Sequence, residues 1–409
     1  MAIDVASVRA DTPGCENVLH LNNAGCSLPP TPVLERVKTH LDLEAAIGGY
    51  EAEDSIPEEY QGIYRSIAKM LGCAPSEIAL VENATRAWDA AFYALAEGFQ
   101  PGDKVLTAAN EYVSNYLAFL QVVRLRGIEI VVVPNEPGGE ISLTALEAAI
   151  RQHGERVKLI ALTHVPTNGG LVQPAVAVGR IARRNQIPYL LDACQSVGQM
   201  PLNVDQLGCD MLAATGRKYL RGPRGTGFLY IRQSMLERLE PTPIDMSSAE
   251  WSARDVYKLR NDARRFEISG GSVACQLGLG VAVEYAMTVG LDNIAARVAT
   301  LAEQLRTQLS KIGVTVRDMP GSGSQPRCGI VTFTHDAHDP RTIVANMRQQ
   351  NINVRVTPVG STRIDMEQRG LTAMVRASVH YYNTEEEIAR FTNAVAALES
   401  RAPEAHRTL

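Results

Sequence analysis

From about residue 100, short apolar runs alternate with amphipathic stretches, and this alternation constrains the fold more than any other feature of the chain. "DKVLTA" (Asp103–Ala108) reads as a buried strand, and "NYLAFLQVVRLRG" has helical spacing and stops at a glycine. "IEIVVVP" is the next strand, and "SLTALEAAIRQHG" is a helix with a serine start and a glycine stop. "VKLIALTHV", a helix across Val176–Asn185, "IPYLLDA" and "DMLAAT" continue the series. Such βαβ succession predicts an α/β fold with a large, mainly parallel sheet buried under helices on both faces. Ligands of such sheets gather at the C-terminal ends of the strands, so chemistry is sought in the loops that follow them.

Further along, the texture changes. "GLDNIAARVATLAEQLRTQLSKIG" is a long amphipathic helix, followed by "CGIVTFTH", "DPRTIVANMRQQN", "INVRVTP", "AMVRASVHYY" and a last helix capped at Asn383-Thr384. The expected division is a large domain over residues 21–289 and a small C-terminal α+β domain over 290–409, joined by residues 1–20. Ser247–Phe266 is polar and is expected to be loop-rich.

Composition narrows the function classes. A net charge of −5 without a long basic run argues against nucleic acid as a partner. No apolar stretch approaches the ~18 residues of a membrane span, and the N-terminus lacks the basic end and apolar core of a signal peptide. The seven cysteines are odd in number and have no C-x-x-C spacing, so a reducing cytoplasm fits better than a disulfide framework or a zinc site. His335 and His338 form an H-x-x-H pair in a turn-like setting, where a solvated loop is favoured over a metal site. No metal is expected.

The strand-end loops carry the chemistry. Lys218 sits in "AATGRKYLRGPRGTGFLYIR", a hinge of small and glycine residues between two apolar runs. A lysine desolvated there has a depressed pKa and attacks carbonyls as the free amine. Asp192 ends "IPYLLDA", where a buried carboxylate needs a cation or serves as a helix cap, and Gln195 follows three residues later. Thr215 and the helix start at Ala84-Thr85 offer phosphate sites, and "THVPTNGG" offers His164 and Asn168. A strand-end Asp, a downstream loop Lys and a phosphate-binding helix start together describe pyridoxal phosphate held as a Schiff base.

"LLDACQSVGQMPLNVDQLGCDMLAATGRKYLRGPRGTGFLY" resembles the signature of the class V aminotransferases, the group that holds cysteine desulfurases and selenocysteine lyases. The resemblance runs from "LNNAGCSLPP" to "VRASVHYYNTEEEI". It implies the type I fold of pyridoxal phosphate enzymes, with Lys218 carrying the cofactor and Asp192 on its pyridine nitrogen. It further implies Gln195 and Asn168 on the ring oxygen, and Thr85 and Thr215 at the phosphate. Arg376 falls where the family grips the substrate carboxylate, a task suited to a bidentate guanidinium, with Asn23 beside it. Family members are dimers with active sites at the interface, and a loop matching Ser269–Ser272, here with Gly271 and Ser272, reaches the partner's phosphate.

The departures bear on function. Arg217 stands where the family has a histidine before the lysine; it keeps a positive charge near the phosphate but shuttles no proton at neutral pH. Tyr112 stands where a histidine stacks on the ring. Cysteine desulfurases carry a cysteine about 15 residues before the carboxylate arginine, whereas here Ser361 is near that place and no cysteine follows Cys328. A serine does not take sulfur as a thiolate does. Arg363, in the same stretch, either meets a second substrate carboxylate or is solvated. Cys194 reads as a buried filler, Trp88 as core and His380 as structural.

The expected activity is that of an enzyme acting on an amino acid through a Schiff base and loss of Cα–H. Lys218 is the base, and Asp192 keeps the ring nitrogen protonated. β-Elimination by a C–S lyase leads. The alternatives are epimerisation of the isopenicillin N epimerase type, with Tyr112 as the second acid, and transamination.

Overall fold

The computed structural model describes residues 3–319 and 327–399. The outer ends of the expected small domain, residues 1–2 and 400–409, lie outside the described residues.

Seven strands form the main sheet: β1 (Ile78–Val81), β2 (Lys104–Ala108), β3 (Glu129–Val133), β4 (Val157–Thr163), β5 (Tyr189–Asp192), β6 (Met211–Thr215) and β7 (Gly227–Ile231). Their spatial order is β1-β7-β6-β5-β4-β2-β3. β7 runs antiparallel to both its neighbours, and every other adjacent pair is parallel. The expected, mainly parallel sheet is thus present. β5, β6 and β7 are buried at every position, which is why they read as continuous apolar runs. Because β6 and β7 are antiparallel neighbours, the lysine-bearing segment between them is a short return loop at the sheet edge and needs no crossover helix.

Helices α1 (Ala84–Ala96) and α2 (Val113–Arg126) cover one face. Trp88, Phe92 and Phe119 meet there with ring centroids 4.7–5.3 Å apart, so Trp88 belongs to the core. Helices α3 (Val273–Val289) and α4 (Leu291–Ser310) lead to a second, antiparallel sheet of β8 (Thr315–Val316), β9 (Ile330–Thr334), β10 (Arg355–Pro358) and β11 (Ala373–Ser378). Its order is β8-β9-β11-β10, and it carries α5 (Arg363–Gln368) and α6 (Glu385–Glu399). Leu19–His20 pairs in parallel with Ile352–Asn353 and joins the N-terminal segment to this part of the molecule.

The loop-rich expectation for Ser247–Phe266 fails in part. Ala249–Ala253 and Val256–Leu259 form an antiparallel hairpin. Its residues are almost all exposed, so no apolar face marks it in the sequence. No single described helix is long and apolar enough to cross a membrane.

Candidate active site

Strand register brings the loop residues to one edge. Thr163 lies beside Asp192, and Asp192 beside Ala213. One strand over, Val81 and Thr215 flank Gly227 from either side. A Cβ on Gly227 would come within 2.6 Å of the Ala214 carbonyl and 3.0 Å of the Asn83 backbone. Glycine there lets the start of α1 approach the end of β6. Asn83 caps α1 by accepting from the Arg86 N–H at 3.1 Å, and α1 begins at Ala84 and Thr85. The open N–H groups of a helix start favour an anion at this point.

The lysine hinge closes on itself. The Gly222 N–H donates to the Gly216 carbonyl at 2.8 Å, and the Arg221 N–H to the Lys218 carbonyl at 2.9 Å. Arg221 pins the hinge from behind. Its buried guanidinium donates to the Leu28 carbonyl, Tyr381 Oη and Thr12 Oγ1, and lies 4.6–5.7 Å from the ring centroids of Tyr285, Tyr381 and Tyr382. Nothing in the sequence around Lys218 announces this role, because its partners come from both ends of the chain.

Among the described residues, Lys218 Nζ makes no hydrogen bond or ion pair; it lies 6.0 Å from the Tyr112 ring centroid. Burial pushes its pKa below the usual lysine range, and Arg217 and Arg376 add to the shift. Cys194 and Asp192 oppose it. The net effect enlarges the neutral, nucleophilic fraction of the amine.

Asp192 is held on both oxygens. Oδ1 accepts from the Cys194 N–H at 2.9 Å, and Oδ2 from Asn115 Nδ2 at 3.0 Å. One oxygen thus closes the local turn while the other meets α2. Asn115 also donates to Glu111 at 2.9 Å. The fully buried Glu111 further accepts from Thr107 Oγ1 and the backbone N–H groups of Tyr112 and Thr163, and bonds to Thr163 Oγ1. Burial pushes the Glu111 carboxyl up. Glu111 and Asn115 were not among the expected site residues. Their spacing of four, with Glu111 just before α2 and Asn115 in its first turn, was the available signal.

Arg217 donates to Thr215 Oγ1 at 2.9 Å, which fixes its guanidinium at the end of β6. Gln195 Nε2 donates to the Ala24 carbonyl at 3.0 Å and lies 3.5 Å from Thr167 Oγ1. Arg376 Nη1 donates to Thr167 Oγ1 at 2.6 Å, while burial pulls its pKa down to about 10, still cationic at neutral pH. Thr167, which the sequence reading passed over, is thus the residue of the β4 loop that meets Gln195 and Arg376.

The remaining residues singled out in the sequence have the following partners. Asn168, one position on, turns to Thr362 and Met366. Asn23 spends its amide on the Ser378 carbonyl at 2.7 Å and on Tyr382 Oη. Arg363 is exposed and pairs with Glu367 at 2.7 Å. His380 bonds through Nε2 to the Tyr219 carbonyl at 3.0 Å. Burial holds the His164 ring at about 4, so it is neutral at neutral pH. His338 Nε2 bonds to the Leu398 carbonyl. Gly271 and Ser272 are exposed and line a groove with Leu80, Arg86 and Gly225, and Ser272 caps α3.

The buried atoms left over define what the site lacks. Gln195 Oε1 and Arg376 Nε have no partner among the described residues, and neither has Lys218 Nζ. A buried amide oxygen and a buried guanidinium N–H are costly unless a ligand satisfies them. An amine, a carboxylate held by an amide, a guanidinium and a helix start are the groups a phosphorylated pyridine aldehyde and an amino acid would meet.

The sequence profile of the class V aminotransferases matches residues 19–391. The chain belongs to that family. Its cofactor is pyridoxal phosphate, and the donor set above fits it. A probable cysteine desulfurase from Methanothermobacter thermautotrophicus is 29% identical over 93% of this chain and 94% of its own length. Another from Pyrococcus abyssi is 26% identical, covering 96% of both chains. Among solved structures, the apo cysteine desulfurase from Thermococcus onnurineus NA1 superposes with a TM-score of 0.89 at 27% identity, covering 97% of this chain and 98% of that one. The cystine C–S lyase C-DES, in complex with its product cysteine persulfide, superposes with a TM-score of 0.82 at 25% identity, covering 94% and 99%. The architecture is the type I fold of pyridoxal phosphate enzymes.

If Arg376 anchors the substrate carboxylate, Arg376→Lys should raise KM for an amino acid substrate by roughly ten- to a hundredfold with a smaller change in kcat, since an ammonium cannot form the two-bond fork of a guanidinium. Steady-state kinetics measure this; an unchanged KM moves the carboxylate anchor to another residue.

Proposed function

We propose that this family member is a C–S lyase that performs β-elimination on a sulfur-containing amino acid without a protein persulfide. One observation carries the reading: the stretch between β10 and β11 presents Ser361 and no thiol, while the lysine, aspartate and arginine set is intact. The seven cysteines are unpaired, as suits a reducing cytoplasm, and burial pushes six of them up, away from the thiolate that sulfur transfer needs. Likeness to the cystine C–S lyase supports the same reaction class.

Bound pyridoxal phosphate supplies an aldehyde for covalent capture of the amino group and a ring that accepts electrons from the substrate Cα. Lys218 Nζ is the attachment point and, once free, takes the Cα proton. Asp192, braced by Asn115, holds a proton on the ring nitrogen. Arg376 orients the substrate carboxylate, with Thr167 and Gln195 beside it. Arg217, Thr215 and the start of α1 hold the phosphate. Tyr112 covers one face. Once Lys218 has taken the Cα proton, the electron pair left behind would form a double bond between Cα and Cβ as the Cβ–S bond breaks, the pair of that bond leaving on sulfur. Hydrolysis of the released enamine gives pyruvate and ammonia. The exposed Ser269–Ser272 loop suits completion of the phosphate site in a second copy of the chain.

Incubation with cystine should give pyruvate, ammonia and a free persulfide in equal amounts. Single replacement of each of the seven cysteines should leave sulfur release within about twofold, because none takes part. A cysteine persulfide on the protein during turnover would return the chain to desulfurase chemistry. Formation of the D-amino acid without pyruvate would establish epimerisation, and oxo-acid exchange would establish transamination.

A further inference from the structure

The Asn168 side chain and carbonyl face the small sheet and the segment that follows it. Nδ2 donates to Thr362 Oγ1 at 2.9 Å and touches Met366 Sδ at 2.8 Å. Oδ1 accepts from Thr357 Oγ1, and the carbonyl accepts from Thr332 Oγ1 at 3.0 Å. All five residues are buried. A second tie lies nearby: the Asp365 N–H donates to the Ala109 carbonyl at 3.1 Å, just past β2. Residues 357–366 are therefore fastened to the large sheet at two loops.

These ties border the substrate end of the site. Thr167, the neighbour of Asn168, bonds Arg376. β10, which feeds the fastened segment, pairs with β11 so that Arg355 faces Arg376 and Thr357 faces Met374. One β4 loop thus orients the carboxylate-binding arginine with one residue and holds the adjoining segment with the next.

We propose that Asn168 is a positioning residue: a clamp that holds residues 357–366 against the large sheet as a fixed wall of the substrate pocket and so limits the size of the group on Cβ. The proposal rests on the reading that Arg376 anchors the substrate carboxylate. A single amide satisfies three buried side chains here, and truncating it leaves two hydroxyls unpaired, a loss felt across the whole segment.

The test uses the full-length holoenzyme and two variants, Asn168→Ala and the near-isosteric Thr362→Val, which preserves packing if the first folds poorly. Amide hydrogen exchange across 357–370 should accelerate about ten- to a hundredfold in both variants, and trypsin should cut faster after Arg363. The double variant should exchange no faster than Asn168→Ala alone, because the two residues share one interaction. The ratio of kcat/KM for a bulky over a small β-substituted amino acid should rise about tenfold, whereas mere destabilisation lowers both alike. Unchanged exchange and cleavage in both variants overturn the clamp. Faster exchange with an unchanged ratio overturns its role in size selection. Weaker binding of pyridoxal phosphate with unchanged exchange would make Asn168 a cofactor ligand instead. The exchange result stands even if no amino acid is turned over, which would count against the lyase reading alone.

Discussion

Lys218→Ala is expected to remove the visible absorption band after dialysis and to lower kcat at least ~10³-fold, because both the attachment point and the Cα base disappear. Arg221 and the hinge hydrogen bonds hold the loop from the other side, so the fold should survive. The lysine is also a folding liability. Its pKa is depressed by burial, so the unfolded chain binds a proton that the folded amine resists. The cofactor-free protein should therefore gain stability as pH rises from the depressed value toward the ordinary lysine value, and the alanine variant should lose that slope. Chemical denaturation as a function of pH measures this. Borohydride reduction and peptide mapping should label Lys218, and a label on any other lysine would overturn the assignment.

Asp192→Asn should keep the cofactor but lower turnover ~10²-fold or more, since a neutral amide does not stabilise a protonated ring nitrogen. The structure adds a further cost. Both Asp192 oxygens face donors, Asn115 Nδ2 and the Cys194 N–H. An asparagine keeps a single acceptor oxygen, so its NH₂ must face one of these donors, and that donor loses its partner while the other keeps it. Asn115→Ala, which spares the charge, should lower turnover only about tenfold. Near wild-type activity in the Asp192→Asn variant would show that the ring nitrogen is not the electron sink.

Much of the large sheet was legible because its evidence is local. Apolar runs at β2, β4, β5 and β6 with helical spacing between them specify βαβ units within a few dozen residues. The exposed 249–259 hairpin was not legible, because a strand pair with no buried face leaves no alternation to read. The small sheet was visible as strands, but its register, which sets Arg355 opposite Arg376, was not.

At the site, the sequence by itself singled out Lys218 between β6 and β7 and Asp192 at the end of β5, because each stands in a context its neighbours define, a glycine hinge and a buried strand end. Arg376 was singled out only through the resemblance to the family. Only the tertiary structure decided which way the loop side chains face. Thr167 and Asn168 are adjacent, yet one meets Arg376 and the other Thr362, 194 positions away. Asn23 lies in the matching motif, yet its amide is taken by a carbonyl 355 positions away. Asn115, Glu111 and Arg221 acquire their roles through contacts with other strands and both chain ends. The physical reason is one of range. Backbone propensity and apolar periodicity act over a few residues, whereas a buried polar side chain is oriented by whichever donor or acceptor the packed fold brings within about 3 Å.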